Sequence, residues 1–360
     1  MTVEDRDTAS AAREQQLATV AITAVIVNYG TAELTLNCLA ALSREREMLP
    51  NLDVIVVDGG SVDGSADRLA AALVAEDLAS WTGLVAMQFN GGFGWANNQA
   101  IRRALSRSKP PEFIYIVNPD AQIEPGALVK LVEALNGQPC AASAGSRLVT
   151  PDGQLLGSAF RFLTVRREFL RGANTPLIEK LIGAPSLVID GEEEVAAEWV
   201  TGASVLLRAE ALRQCGLFDE GFFLYFEEVE LMHRLARGGW GARYVPESRV
   251  RHIGGASTGV ADGVSAQRRL PDYWFRSRRR FFALAYGPSA ARLSALAWIA
   301  GYAIWRLRQF AGMGRASAHA PGEFADLRRN GLGPTPFDHY PAIGRWDGPW
   351  DEPPAWVAHT

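Results

Sequence analysis

The 360 residues are 48% hydrophobic and 21% charged, which is apolar material enough for a full core in one large domain or two smaller ones. A formal net charge of -4 excludes a global nucleic-acid-binding field. Cys38, Cys140 and Cys215 are widely spaced and form no CxxC pair, which excludes a zinc ribbon or a disulfide framework and suits unpaired thiols in a reducing cytoplasm.

The first residues are polar and charged and lack the apolar stretch of a secretion signal, so residues 1–20 read as a mobile tail. From there strand-like and helix-like segments alternate. Thr23 to Asn28 is a β-branched run, and Ala32 to Leu42 has helical spacing of Leu34, Leu39 and Leu42. Asp53 to Val57 is a second strand ending on Asp58, followed by a helix over Ala66 to Val74. Leu84 to Phe89, a helix over Ala96 to Leu105, and the strand Phe113 to Val117 complete the first half. Near-continuous apolar strands alternating with helices predict a parallel sheet covered on both faces, with ligands beyond its carboxyl ends. Those ends carry Asn28, Asp58, Asn90 and Asn118-Pro119-Asp120.

The second half is less regular. Ala196 to Arg208 reads as a turn and a strand, and Glu228 to Arg237 as a helix stopped by Gly238-Gly239. Arg243 to Pro246 reads as a short strand, and His252 to Gly259 as a glycine-rich loop. Six arginines then fall within Arg268 to Arg280, followed by an apolar stretch from Leu293 to Trp305, bracketed by Arg292 and Arg306 and shorter than a membrane span. The last 40 residues are rich in Pro, Gly and Trp and read as irregular.

Five places carry residue types suited to chemistry, each with a plainer alternative. Asp120 in Asn118-Pro119-Asp120 can hold Mg or Mn through oxygen while diphosphate oxygens fill the remaining positions, although Asn, Pro and Asp are also turn formers. Asp58, in Asp58-Gly59-Gly60-Ser61, can accept from the imide N–H of a uracil or thymine, or the segment is a strand-to-helix loop with Ser61 as a cap. Asn90-Gly91-Gly92 with Asn97 and Asn98 can line a nucleotide pocket at a helix start, or be a flexible turn. Glu227-Glu228, after the aromatic run Phe222 to Phe226, can supply a general base in a water-poor site, or simply open a helix. His252 can assist a metal or diphosphate site, or be structural.

In order along the chain, VIVNYG, VVDGGSVDGS, NGGFGWANN, VNPDAQIEPGAL, WVTGASVLLR, FFLYFEEVELMHRL and HIGGASTG resemble the family 2 glycosyltransferases, especially their rhamnosyltransferase-like branch, over roughly residues 21 to 260. The resemblance implies an α/β GT-A fold: a Rossmann-like, mostly parallel central sheet flanked by helices. It implies a catalytic domain over 21–262, divided into a nucleotide-binding half (21–120) and an acceptor half (121–262). A basic and apolar helical extension (263–318) and an irregular tail (319–360) follow. It assigns the nucleotide base to Asp58, the metal to Asp120 with His252, the base catalyst to Glu228 and acceptor contact to Glu227. Asn28, Ser61, Asn90, Gly92, Asn97, Asn98 and Asn118 fall to the donor, and Trp199, Thr201, Gly202 and Ala203 to the acceptor pocket. Two departures stand out: Asn118 replaces the first acid of the family's DxD-like element, and Glu227-Glu228 replaces its usual Glu-Asp or Asp-Asp.

The implied reaction is inverting, metal-dependent transfer of a sugar to a hydroxyl in cell-surface polysaccharide assembly. The donor is a thymidine- or uridine-diphosphate sugar, dTDP-rhamnose first and UDP-hexoses behind it. The acceptor is a glycan or a polyprenyl-diphosphate-linked saccharide. The expected location is cytoplasmic, with residues 268–305, the arginine-rich segment and the apolar stretch after it, resting on the inner face of the membrane or else packing as a cap on the catalytic domain. A nucleotide-sugar-binding protein without transfer is the competing reading. A Rossmann oxidoreductase lacks its GxGxxG after Asn28, and a nucleotidyltransferase its glycine- and arginine-rich loop.

Overall fold

Runs of valine and isoleucine can form strands buried on both faces only if helices cover both, and that is how the centre of the molecule is built. The computed structural model describes residues 13–175, 183, 186–254, 269–313 and 319–332. The first half comprises β1 (Ile22–Asn28), α1 (Ala32–Glu45), β2 (Leu52–Asp58), α2 (Ser65–Ala75), β3 (Thr82–Ala86), α3 (Phe93–Leu105) and β4 (Phe113–Val117). β1 pairs in parallel with β2 and β4, and β2 with β3. Along these strands alternate residues enter two cores. Ala24, Ile26, Val56 and Tyr115 pack with Leu39 and Leu42 on one side. Val25, Ile55, Val57 and Ile116 pack with Trp95 and Ile101 on the other.

Then follow β5 (Ala121–Ile123), α4 (Ala127–Gly137), β6 (Ala141–Val149), β7 (Leu155–Leu156), β8 (Ala159–Phe160), α5 (Val165–Ala173), β9 (Val188–Ile189), β10 (Val195–Ala197), β11 (Trp199–Val200), β12 (Ser204–Arg208), α6 (Ala209–Cys215), α7 (Glu227–Arg237) and β13 (Gly241–His252). The main sheet runs β10-β13-β6-β12-β4-β1-β2-β3, and β8, β9 and β11 form a small second sheet. β12 is antiparallel to both β4 and β6, whereas β6 and β13 are parallel, so the sheet is mostly but not wholly parallel. The antiparallel β12 starts where β4 ends, with Ser204 opposite Val117, and so brings residues 201–203 to the carboxyl end of the parallel strands.

Several expectations from the sequence need correction. The strand expected over 243–246 runs from Gly241 to His252, because a register shift between Val245 and Arg249 accommodates Pro246 as a bulge. Residues 13–19 of the expected tail are helical, with Leu17 and Val20 buried in the core. The irregular C-terminal tail begins instead with a helix, described below, and residues 333–360 lie outside the described region, as do Gly255 to Gly259 of the expected glycine-rich loop.

The C-terminal extension consists of α8 (Asp272–Tyr286), α9 (Pro288–Phe310) and α10 (Glu323–Leu332). α9 crosses α5 so closely that a Cβ on Gly172 would lie 2.2 Å from the Trp298 carbonyl oxygen, and one on Gly301 equally close to that of Phe169. The arginine run of α8 does not face outward. Arg278 is fully buried and donates to Glu168 of α5 at 2.7 Å. Arg280 grips Asp219 through two nitrogens at 2.8–3.0 Å. Buried charges must be paired, and these arginines are used inside the protein.

Candidate active site

The carboxyl ends of β1, β2 and β4, the start of β12 and the end of β13 surround a cleft of about 540 Å³. This is the side of an open α/β sheet where ligands are expected, with β1 between β2 and β4 at the point where the chain order reverses. Of the residues singled out in the sequence, Asn90, Gly92, Asn118, Asp120, Trp199, Thr201, Gly202, Ala203, Glu227, Glu228 and His252 line it.

Asp120 and His252 meet because β5 pairs antiparallel with the end of β13, placing Ala121 opposite His252. Both side chains are buried, and His252 Nε2 lies 3.3 Å from Asp120 Oδ1 and 3.4 Å from Asn118 Nδ2. Two neighbouring ligands on one octahedral cation with bonds of about 2.1 Å stand about 3 Å apart, so the pair fits a divalent ion. Among the described residues no group of three or more His, Cys, Asp or Glu is placed to hold a metal. The described residues would therefore supply two ligands, Asp120 and His252, beside phosphate oxygens and water, the usual arrangement for Mg and a familiar one for Mn.

Glu227 and Glu228 open α7 beneath a strained turn. Tyr225 and Phe226 both take left-handed backbone angles, φ 67° and 69°, which cost non-glycine residues about 1–3 kcal/mol each and persist only where the surroundings enforce them. Here they do. Phe93 N donates to Phe223 O at 3.0 Å, and Ser277 Oγ of α8 donates to Leu224 O at 2.8 Å. Phe226 packs on Trp274 and Phe281 at centroid distances of 5.4 and 5.9 Å. Glu227 is buried, and burial, then the charge of Glu228, push its carboxyl well above the ordinary range. Its Oε2 has no hydrogen-bond partner among the described residues, as befits a carboxyl that can donate into the cleft.

Aromatic rings supply much of the remaining wall. Trp199 stacks on Phe160 at 4.3 Å and donates through Nε1 to Arg161 O. Tyr273 of α8 reaches the cleft beside Phe223 and Tyr225, at 5.5 and 6.1 Å. The run Phe222 to Phe226 was visible in the sequence as a water-excluding element. Nothing local in the sequence marks Tyr273.

Five expected donor contacts lie behind the cleft wall. Asp58 is buried and accepts from Asn28 Nδ2 at 2.6 Å, Ser61 N at 2.9 Å and Ser61 Oγ at 2.7 Å. Asn28, Asp58 and Ser61 thus brace the turn that presents Gly59 to the cleft. Asn97 donates to Phe93 O, and Asn98 ties α3 to Phe218 O and Glu220. These two amides serve the packing of α3 because their side chains emerge on its buried faces. The glycine-rich loop is also used within the protein: a Cβ on Gly92, at φ 91°, would lie 2.1 Å from Phe223 O. That close approach to the Glu227 turn explains the glycine.

Residues 23–179 match the family model described as glycosyl transferase family 2. The chain carries a family 2 glycosyltransferase domain. The match spans β1 through α5, so Glu227, Glu228 and His252 lie beyond it. Over 243 residues the glycosyltransferase is 29% identical to the N-acetylglucosaminyl-diphospho-decaprenol L-rhamnosyltransferase of Mycobacterium tuberculosis, covering 65% of this chain and 76% of that protein. It is 24% identical to the rhamnosyltransferase WbbL of Escherichia coli over 163 residues, 45% of this chain and 60% of that one. Both relatives are rhamnosyltransferases. The crystal structure of GalNAc-T7 with UDP, GalNAc and Mn2+ superposes with a TM-score of 0.52 at 13% identity, over 82% of this chain and 55% of that one, and shows the GT-A fold.

Proposed function

We propose that this glycosyltransferase moves a sugar, with inversion, from a nucleoside diphosphate to a hydroxyl of a lipid-linked saccharide in cell-surface polysaccharide assembly. dTDP-rhamnose is the first donor to test and UDP-hexoses the second. The observation that carries the reading is that one cleft joins the Asp120–His252 pair to the carboxyls at the start of α7. The rhamnosyl activity and the lipid-linked substrate named for the mycobacterial relative support this choice of donor and acceptor.

Adjacent carboxyls in unlike surroundings divide their roles. Glu227, whose burial favours the protonated form, orients the acceptor by donating a hydrogen bond, and Glu228 takes the proton from the attacking hydroxyl. Attack from the face opposite the leaving diphosphate inverts the anomeric centre in one displacement through an oxocarbenium-like transition state. Asp120 and His252 would hold a divalent cation, Mg or Mn, which neutralises charge developing on the diphosphate. The rings of Trp199, Phe223 and Tyr225 keep water from the donor. Asn90, Asn118 and the backbone around Gly59 and Gly92 border the donor, with Asp58 holding its turn in place. Thr201, Gly202 and Ala203 border the acceptor.

Glu228→Gln should abolish transfer while leaving nucleotide-sugar affinity intact, whereas Asp120→Ala should lose both. Calorimetry with dTDP-rhamnose and Mn, beside product analysis by NMR, reads the two effects separately. Full turnover by Glu228→Gln, or undiminished transfer after exhaustive chelation, would sink the mechanism.

A further inference from the structure

α9 is apolar on two opposite faces, and packing among the described residues explains only one. Ala291, Ser294, Ala295, Trp298, Gly301 and Trp305 are buried, and the helix packs against α5, α8 and α10. On the far side Leu293, Leu296, Leu307 and Phe310 are 53%, 49%, 70% and 95% exposed. With the exposed Ala300 and Ala303 between them, their spacing alternates three and four residues, so they form one stripe about 25 Å long. Met313, 65% exposed, extends it past the helix end.

Charge identifies the occupant. Residues 288–310 hold three arginines and no acidic residue, in a chain whose net charge is -4. Arg292 and Arg306 are exposed on one border of the stripe, and Arg308 stands on the other. A convex leucine and phenylalanine ridge edged by guanidinium groups matches the boundary between acyl chains and anionic headgroups. Among the described residues no helix is long and apolar enough to cross a membrane, so the helix would lie along the surface.

We propose that the outer stripe of α9 is a membrane-docking surface, with its leucines and Phe310 entering the acyl boundary and Arg292 and Arg306 meeting lipid phosphates. This narrows the membrane contact expected over residues 268–305 to the outer side of α9, because Arg278 and Arg280 of α8 are turned inward. It deepens the lipid-linked acceptor reading and rests on that reading for its purpose. α8 joins α9 through Gly287 and carries Tyr273 into the cleft, so the docking helix is connected directly to an element of the cleft wall.

The test is flotation of the full chain with phosphatidylcholine vesicles, with and without phosphatidylglycerol, at low and high salt. The wild type should float with the anionic vesicles at low salt. Leu307→Glu/Phe310→Glu should reduce the bound fraction about ten-fold or more, since binding scales with buried apolar area. Arg292→Glu/Arg306→Glu should remove the preference for phosphatidylglycerol. Both variants should keep the wild-type circular dichroism and the same transfer to a water-soluble acceptor analogue. A wild type that never floats, or a Leu307→Glu/Phe310→Glu variant that floats equally well, overturns the proposal. So does a dimer in sedimentation velocity that the same substitutions break, because the stripe would then belong to a second copy. Transfer to the soluble analogue is measured without vesicles, so its failure would count against the proposed function and not against docking.

Discussion

At the scale of single residues, Glu227 has the most exposed consequences. Burial and the neighbouring Glu228 charge hold its carboxyl well above the ordinary range, so the folded chain binds this proton more tightly than the unfolded chain does. The stability it contributes is complete below the ordinary glutamate range and is lost as the pH rises through the folded-state value. Glu227→Gln removes that loss. The melting temperature of the wild type should therefore fall relative to the variant as the pH is raised above the ordinary glutamate range, and the two should converge in acid. Parallel melting curves across that range would contradict the burial of a proton here. The identities of these residues were legible in the sequence, but their division of labour was not. Two adjacent glutamates look alike until one is enclosed by Gly94 and the turn at Phe226.

At the scale of elements, the turn carrying the carboxyls is held from outside by α8. Arg280 and Asp219 are 3% and 0% exposed and pair bidentately, and Gly221 lies flat against the guanidinium, where a Cβ would be 2.2 Å from Arg280 Cζ. Removing one partner of such a pair strands the other charge, at about 3–5 kcal/mol. Arg280→Met should lower stability by that order in urea titrations. It should also reduce kcat for transfer more than donor affinity, because the strained turn loses its anchor. Arg280→Met/Asp219→Leu should recover part of the stability without recovering kcat. If both return together, the pair serves folding alone. The helical stretches themselves were readable from spacing, and observed ends differ by a few residues at most in the first half. The sequence alone predicts too short a β13 because Pro246 normally ends a strand, whereas a bulge lets this one continue.

At the scale of the whole molecule, one C-terminal helix, α8, completes the cleft formed by the sheet. Tyr273 comes from α8, beyond the region matched by the family model, and stands beside rings from the loop before α7. A ring in that position suits the acceptor side, and losing a buried aromatic contact is worth about 1–2 kcal/mol. Tyr273→Ala should therefore raise KM for the acceptor about ten-fold while leaving the affinity for nucleotide sugar unchanged. Weakened donor binding with an unaltered acceptor KM would place the ring on the other side of the cleft.

The sequence by itself determined the order of β1 to β4 and the helices between them, and it placed polar residues at the strand ends around a cleft. Those features follow from local periodicity and from the rule that such sheets bind at their carboxyl ends. The tertiary structure alone decided which polar residues face the cleft. It sent Asn98 to Phe218 and Glu220, closed Asn28 and Ser61 onto Asp58, and paired Asp120 with His252 across β5 and β13. It also turned Arg278 and Arg280 inward to Glu168 and Asp219. The physical reason is common to all of these. A polar side chain is committed by the partner that compensates its burial, and these partners are brought together by the fold, many of them more than 100 residues away in the chain.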